Sequence, residues 1–189
     1  RYTAPGIHGL EPATEQMPDP YDFFLSSPAI ADGVLYVGSG DAHVYALDAA
    51  SGRLLWKFRT GDVVHASPAV ADGRVYVGSW DSNFYALDAA NGAELWRFKT
   101  GDDPRQHNQV GIQASALVAD GRVYFGCRDS NFYVLDAATG KLAWSFSNKG
   151  AWVVGAPVLD AGRVYFANSD GGTFHALDAR TGAARRRWR

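Results

Sequence analysis

Apolar and polar residues alternate in short runs along most of the chain. The segments RVYVGSW, from Arg74 to Trp80, and NFYALD, from Asn83 to Asp88, are two examples, and both are rich in β-branched and aromatic residues. Alternation with a period of two places every second side chain on the same face of a strand, whereas no long stretch has the 3.6-residue period of an amphipathic helix. The pattern therefore predicts an all-β protein built from many short strands.

The alternating runs belong to a repeat. The phrase ALDAANGAELW, at Ala86–Trp96, has close copies at Ala46–Trp56 and Val134–Trp144, and a fourth copy begins as ALDARTG at Ala176–Gly182. The first two units are forty residues apart, the third follows after an insertion, and the fourth has Arg186 at the position of the tryptophan. Self-similarity at this period indicates a modular repeat architecture.

Each unit resolves into four strands. An Asp-Gly pair such as Asp72-Gly73 predicts a type I′ hairpin, because both central residues of that turn need a positive φ. A second turn runs from Asp88, whose carboxylate can accept backbone N–H groups, to Gly92 in the left-handed conformation. Four antiparallel strands repeated radially are typical of a β-propeller blade. We expect an irregular N-terminal arm or inter-blade insertion over residues 1–25, and a β-propeller over residues 26–189 with blades at about 26–62, 63–102, 113–148 and 153–189.

The repeated phrase resembles the tryptophan-docking pattern Ala-x-Asp-x-x-Thr-Gly-x-x-x-Trp of the PQQ-like (pyrroloquinoline-quinone-type) β-propeller repeat family. The first copy matches it at Ala46, Asp48, Ser51, Gly52 and Trp56, and the resemblance covers most of the chain. In that family the docking tryptophan packs between neighbouring blades. The resemblance therefore implies a structural role for Trp56, Trp96 and Trp144.

The fourth unit lacks its tryptophan, and the chain does not begin with Met. Four units could close a small ring, since four blades is the lower end of the known range. We instead expect an open arc of four blades from a propeller of seven or eight blades, with the missing blades in cis.

Two sets of loops differ most between the units, namely the connections between units and the loops between the second and third strands. The predicted topology puts both sets on one face, here called the variable-loop face, which is the default location for a binding site. The alternative is that these loops vary because nothing constrains them. The candidate residues for binding a ligand or partner are His65, Trp80, Arg105, His107, Asn108, Gln109, Gln113, Arg128, Trp152 and Asn168.

Because these candidates lie on loops, we expect the substitutions His65→Ala, Trp80→Ala and Arg128→Ala to weaken binding and to leave stability nearly unchanged.

Composition argues against several function classes. The net charge is −2 with no basic stripe, so nucleic acid is not an expected partner, and no apolar run is long enough to span a bilayer. The enzymatic branch of the family, the quinoprotein dehydrogenases, uses a vicinal cysteine pair, a Ca²⁺ bound partly by glutamate and an aspartate base. This chain has the single cysteine Cys127, and its glutamates Glu11, Glu15 and Glu94 lie away from the variable-loop face. We therefore expect no catalytic residues, no metal site and no cofactor, with PQQ and Ca²⁺ as the alternative.

The resemblance then implies a non-catalytic scaffold that binds a protein partner or a small ligand, similar in kind to BamB-type outer-membrane protein assembly factors. Such proteins are bacterial and periplasmic or otherwise exported. Two alternatives stay open: a fragment of a PQQ-dependent alcohol dehydrogenase, and a ligand-sensing propeller attached to another domain.

Overall fold

The computed structural model describes residues 26–101, 111–169 and 171–188. The predicted arm at residues 1–25 and the candidates Arg105, His107, Asn108 and Gln109 lie outside the described residues.

The described residues form four antiparallel sheets, each made of four consecutive strands, and contain no helix. Within each sheet the strands follow their order in the sequence. The first sheet comprises β1 (Ala29–Ala31), β2 (Val34–Gly38), β3 (His43–Asp48) and β4 (Leu54–Arg59), and the second comprises β5 (Ala69–Ala71), β6 (Arg74–Gly78), β7 (Asn83–Asp88) and β8 (Glu94–Lys99). The third comprises β9 (Leu117–Ala119), β10 (Arg122–Gly126), β11 (Asn131–Asp136) and β12 (Leu142–Ser147), and the fourth comprises β13 (Val158–Asp160), β14 (Arg163–Ala167), β15 (Phe174–Asp178) and β16 (Ala184–Trp188). The predicted all-β class is confirmed.

The two predicted turns are present in the form that the sequence indicates. Asp72 and Gly73 have φ values of 50° and 69°, as a type I′ hairpin between β5 and β6 requires. In the turn between β7 and β8, the N–H of Gly92 donates to the carbonyl of Asp88 at 2.8 Å, and the Asp88 carboxylate accepts the N–H of Asn91 at 3.1 Å. The chain is therefore reversed at these points by local chemistry alone.

Neighbouring sheets pack face to face, and each of the three junctions holds its own apolar core. At the second junction the rings of Phe84 and Phe125 stack at 4.2 Å, and at the third those of Phe132 and Phe166 stack at 4.1 Å. All four rings are at most 1% exposed. The sheets form an open arc of propeller blades, which confirms the predicted architecture.

The repeated tryptophans lie between blades. Trp56, on β4 of the first blade, packs on Gly92 of the second and donates its indole N–H to the carbonyl of Ala89 at 3.0 Å. The next two tryptophans make the same contacts one blade further on. Trp96 packs on Gly140 and donates its indole N–H to the carbonyl of Ala137, and Trp144 packs on Gly182 and donates to the carbonyl of Ala179. In the fourth blade the equivalent register position, opposite Ala176, is Arg186.

Candidate functional site

The variable-loop face is built on a backbone frame that repeats at each junction. The connection after β4 hydrogen-bonds to the loops of both neighbouring blades: the N–H of Val64 donates to Ser39 O at 3.0 Å, and the N–H of Trp80 donates to Val63 O at 3.0 Å. The same two backbone hydrogen bonds recur at the other junctions. At the second, the N–H of Ile112 donates to Ser79 O and that of Arg128 to Gly111 O. At the third, the N–H of Val153 donates to Cys127 O and that of Ser169 to Trp152 O. Trp80, Arg128 and Ser169 therefore occupy equivalent positions in successive blades.

Glycine at the end of the second strand permits this close approach. A Cβ atom added at Gly78 would lie 2.2 Å from the side chain of Ile112, so no other residue fits there without moving the connection. The equivalent glycines, Gly38 and Gly126, face Val64 and Val153 in the same way.

Four of the predicted site residues meet in one stack. The guanidinium carbon of Arg128 lies 3.9 Å from the ring centre of Trp152 and 4.6 Å from that of Trp80. The ring of His65 meets that of Trp80 edge-on, with ring centres 5.4 Å apart. The stack joins the second and third blades and the connection that leads into the fourth.

Most of this stack is buried. His65 and Trp80 are each 5% exposed and Arg128 is 7% exposed, whereas Trp152 is partly buried. This burial argues against the expectation that alanine at His65, Trp80 or Arg128 would leave stability nearly unchanged. Truncating a side chain buried in this way leaves a cavity, and removing the cation also removes a desolvated interaction worth about 2 kcal/mol.

The stack holds the Arg128 guanidinium against two indole rings, those of Trp80 and Trp152. The indole nitrogen of Trp80 is buried, and within the described part of the chain it has no hydrogen-bond partner. Buried donors usually have partners, so this nitrogen is an exception within the described part of the chain.

The other two described candidates do not join the stack. Gln113 follows Ile112 as His65 follows Val64, and it is partly buried. The side chain of Asn168 is used within its own loop, where its Oδ1 accepts the N–H of Thr173 at 2.9 Å.

An aspartate–tyrosine pair supports the loops, and sequence reasoning missed it. The hydroxyl of Tyr85 donates to Asp81 Oδ2 at 2.5 Å, and the same carboxylate oxygen accepts the N–H of Gly61 from the preceding connection at 2.7 Å. Burial and the hydrogen bond to Asp81 both raise the pKa of Tyr85. Equivalent pairs join Tyr45 to Asp41 and Tyr133 to Asp129. The signal was available as the spacing Asp-x-x-x-Tyr, repeated in three units.

The described residues do not match the donor set of a calcium–quinone site. Cys127 is fully buried, with its sulfur 3.4 Å from the carbonyl of Gly111, and burial raises the pKa of its thiol to about 12. As the only cysteine in the chain, it cannot form a vicinal pair. Over residues 26–101, 111–169 and 171–188 there is no group of three or more His, Cys, Asp or Glu side chains placed to hold a metal ion.

No helix with the length and apolar character needed to span a membrane occurs in the described part of the chain.

The chain is similar to known proteins both in sequence and in structure. A family model described as outer membrane protein assembly factor BamB matches residues 11–189. No curated protein sequence matches the chain. Among solved structures, quinohemoprotein alcohol dehydrogenases from Pseudomonas putida HK5 and Comamonas testosteroni are 24% and 22% identical over 87% of this chain, with TM-scores of 0.77 and 0.76. BamB from Moraxella catarrhalis is 18% identical over 87% of this chain, with a TM-score of 0.67.

The aligned part is 34% of each dehydrogenase chain and 64% of the Moraxella protein. At these identities the structural likeness establishes the fold alone.

Proposed function

Because this chain belongs to the family of the outer membrane protein assembly factor BamB, we propose that it is a non-catalytic scaffold that binds protein partners through its variable-loop face. It works in the periplasm or another exported compartment of a bacterium, as its family resemblance suggests. No cofactor takes part in this role.

The stack of His65, Trp80, Arg128 and Trp152 is the observation that carries the proposal. It fixes loops from successive blades relative to one another before any partner arrives. A face that is already ordered loses less conformational entropy on binding, which favours affinity. Trp152, which is only partly buried, is of a residue type enriched among the residues that dominate binding energy at protein interfaces.

The repeat itself also supports a binding role. Identical backbone hydrogen bonds hold equivalent positions that carry a tryptophan in one blade, an arginine in the next and a serine in the last. Such a frame lets side chains change without disturbing the fold, which is the general logic of binding loops on a rigid scaffold.

Photo-crosslinking in cells tests the proposal. A photoreactive amino acid at Gly155 or Ser169, both exposed on the variable-loop face, is expected to capture a discrete protein. The matched controls are Ser51 and Asn91, which are exposed in turns on the opposite face and should capture none. Equal capture from both faces, or capture from the control face alone, would contradict the assignment.

The variant Arg128→Lys, compared at equal protein abundance, tests whether the stacked guanidinium contributes to binding. It keeps the positive charge and loses the planar group that lies between the two indoles. We expect weaker crosslinking from Gly155 at unchanged protein abundance. Full crosslinking in this variant would show that the stack has no part in partner binding.

The second candidate function is part of a PQQ-dependent alcohol dehydrogenase, which the likeness to the two quinohemoprotein enzymes favours. Incubation with PQQ and Ca²⁺, followed by absorbance spectroscopy and a dye-linked alcohol oxidation assay, distinguishes the two. A bound-quinone absorbance together with alcohol oxidation would overturn the scaffold proposal. A ligand-sensing propeller is distinguished in turn by crosslinking that yields no protein partner from either face.

A further inference from the structure

Two junctions of the arc carry a groove at the same register position. The first groove, of about 350 Å³, lies between the first and second blades and is lined by residues that include Gly61, Tyr85, Glu94 and Arg97. The last groove, of about 260 Å³, lies between the third and fourth blades and is lined by residues that include Lys149, His175, Ala184 and Arg187.

Strand pairing shows that these residues correspond one to one. Tyr85 faces Arg97 across β7 and β8 as His175 faces Arg187 across β15 and β16. In the same sheets Leu87 faces Glu94, and Leu177 faces Ala184. Gly61 and Lys149 are also equivalent, because each follows a residue whose backbone N–H donates to a carbonyl in the loop between the second and third strands of the preceding blade. The side chains of the two grooves can therefore be compared position by position.

Charges in the first groove are balanced. The Nε of Arg97 donates to Glu94 Oε1 at 2.8 Å, and the Asp81 carboxylate accepts the N–H of Gly61 at 2.7 Å. Arg59 also lines this groove. Two arginines therefore face two carboxylates.

The last groove differs in charge. Ala184 replaces the glutamate, Lys149 replaces the glycine, and Arg187 donates to the hydroxyl of Thr173 at 3.2 Å instead of to a carboxylate. Asp170, which the repeat aligns with Asp81, lies outside the described residues. The described lining residues include three cationic side chains, Lys149, Arg186 and Arg187, and no carboxylate.

A buried imidazole completes the lining. His175 is 4% exposed, and its ring packs against Phe146 and Phe166 with ring centres 5.2 and 5.1 Å away. Its Nε2 has no hydrogen-bond partner among the residues that the structure describes. A buried polar atom without a partner is costly, so a ligand atom that bonded it would recover that cost. Burial first, and then the charge of Arg187, lower the pKa of His175, so the ring is neutral at pH 7.

We propose that the last groove binds a phosphate group, with Lys149 and Arg187 as charged donors and His175 as a neutral donor. A phosphate monoester is close to a dianion at pH 7, because its second pKa is about 6, and two cations match that charge better than they match a single carboxylate. The planar fork of arginine bonds two oxygens of one phosphate, and lysine supplies a point charge. Bound in this way, the phosphate belongs either to a soluble molecule or to a phospholipid headgroup.

Two substitutions convert the last groove toward the first. Lys149→Gly removes a cation at a position with φ of 53°, which glycine adopts without strain, so this variant should be at least as stable as the native chain. Ala184→Glu supplies Arg187 with the carboxylate that Arg97 already has. The matched control is Glu94→Gln, which changes charge in the first groove only.

Isothermal titration calorimetry of the full chain with inorganic phosphate, at constant ionic strength, tests the site. We expect saturable binding with a dissociation constant at least tenfold higher in Lys149→Gly and in Ala184→Glu, and unchanged in Glu94→Gln. Acetate should not bind, and phosphate should shift the ring resonances of His175 in NMR spectra. Binding that is absent, equal for acetate, or insensitive to both substitutions would overturn the proposal.

Vesicles separate the two sources of the phosphate. If the ligand is a headgroup, phosphatidic acid vesicles sediment the native chain and not the Lys149→Gly variant, while phosphatidylcholine vesicles sediment neither. If it is soluble, phosphate binds in calorimetry and neither vesicle sediments the chain. Either result supports the site, which does not depend on the scaffold function. Sedimentation by phosphatidic acid that is equal in all variants, with no calorimetric binding, would refute it.

Discussion

Replacing Gly140 with alanine should separate the packing between blades from the geometry of a single turn. Gly140 has a φ of 70°, and a Cβ added there would lie 2.6 Å from the ring of Trp96 on the preceding blade. Gly52 occupies the same turn of the first blade with a φ of 69°, and an added Cβ would meet nothing within 4 Å. The two substitutions therefore share their backbone strain and differ in one contact.

The shared term is the cost of a left-handed conformation for alanine, about 1–2 kcal/mol. At Gly140 the new methyl group also displaces the indole ring, and overpacking of this kind costs about 1–3 kcal/mol. The hydrogen bond from the indole nitrogen of Trp96 to Ala137 O, 3.2 Å long, is strained or lost as well, which adds about 1 kcal/mol. We therefore expect Gly140→Ala to lower the free energy of unfolding by about 2–4 kcal/mol more than Gly52→Ala does.

Urea unfolding followed by both circular dichroism and tryptophan fluorescence measures this difference. Two probes are needed because blades can unfold separately in a repeat protein, and coincident transitions would justify a single free energy. Equal losses for Gly140→Ala and Gly52→Ala would refute the reasoning, because the turn would then account for the whole effect and the tryptophan contact for none of it.

Three further outcomes are expected. Arg128→Gln should lower the free energy of unfolding in urea by about 2 kcal/mol, because it removes a buried cation held between two indole rings, and an unchanged value would contradict this. Cys127, whose thiol pKa burial raises to about 12, should react with Ellman's reagent at pH 8 only as the chain unfolds, so rapid labelling of the native protein would contradict its burial. Hydrogen bonds from Arg185 and Thr181 lower the pKa of Asp178 from 3.8 to about 2. The native chain should therefore have a higher Tm than Asp178→Asn above about pH 4, and this advantage should disappear as the pH falls toward 2; a difference independent of pH would contradict it.

The fold could be predicted from the sequence because its determinants are local and repeated. The Asp72-Gly73 pair specifies a hairpin without reference to the rest of the chain, and the alternation in NFYALD specifies which side chains share a face. Four copies of the same signals leave little freedom in the register. The role expected for Trp56 came from the family resemblance and agrees with its contact on Gly92.

The site could be predicted only as a face. Spacing shows that Trp80 and Arg128 occupy equivalent loop positions in successive blades, but it does not show which way a long side chain extends. Arg128 lies between Trp80 and Trp152 because the blades are offset around the arc, and this offset is set by packing between sheets. The burial of these residues follows from the same offset, and it argues against the expectation that alanine there would leave stability nearly unchanged.

Differences between the repeated blade junctions point to positions where a residue is not needed for the fold. The aspartate–tyrosine pair recurs in the first three blades, and in the second and third it also bonds the preceding connection. Where a structural device is repeated, its loss in one copy requires a compensating interaction or leaves buried atoms without partners. His175 replaces the tyrosine in the fourth blade and brings a buried nitrogen without a described partner, beside cations that have no carboxylate among the described lining residues. The departure from the repeat therefore places a buried nitrogen without a described partner at the groove for which we propose a phosphate.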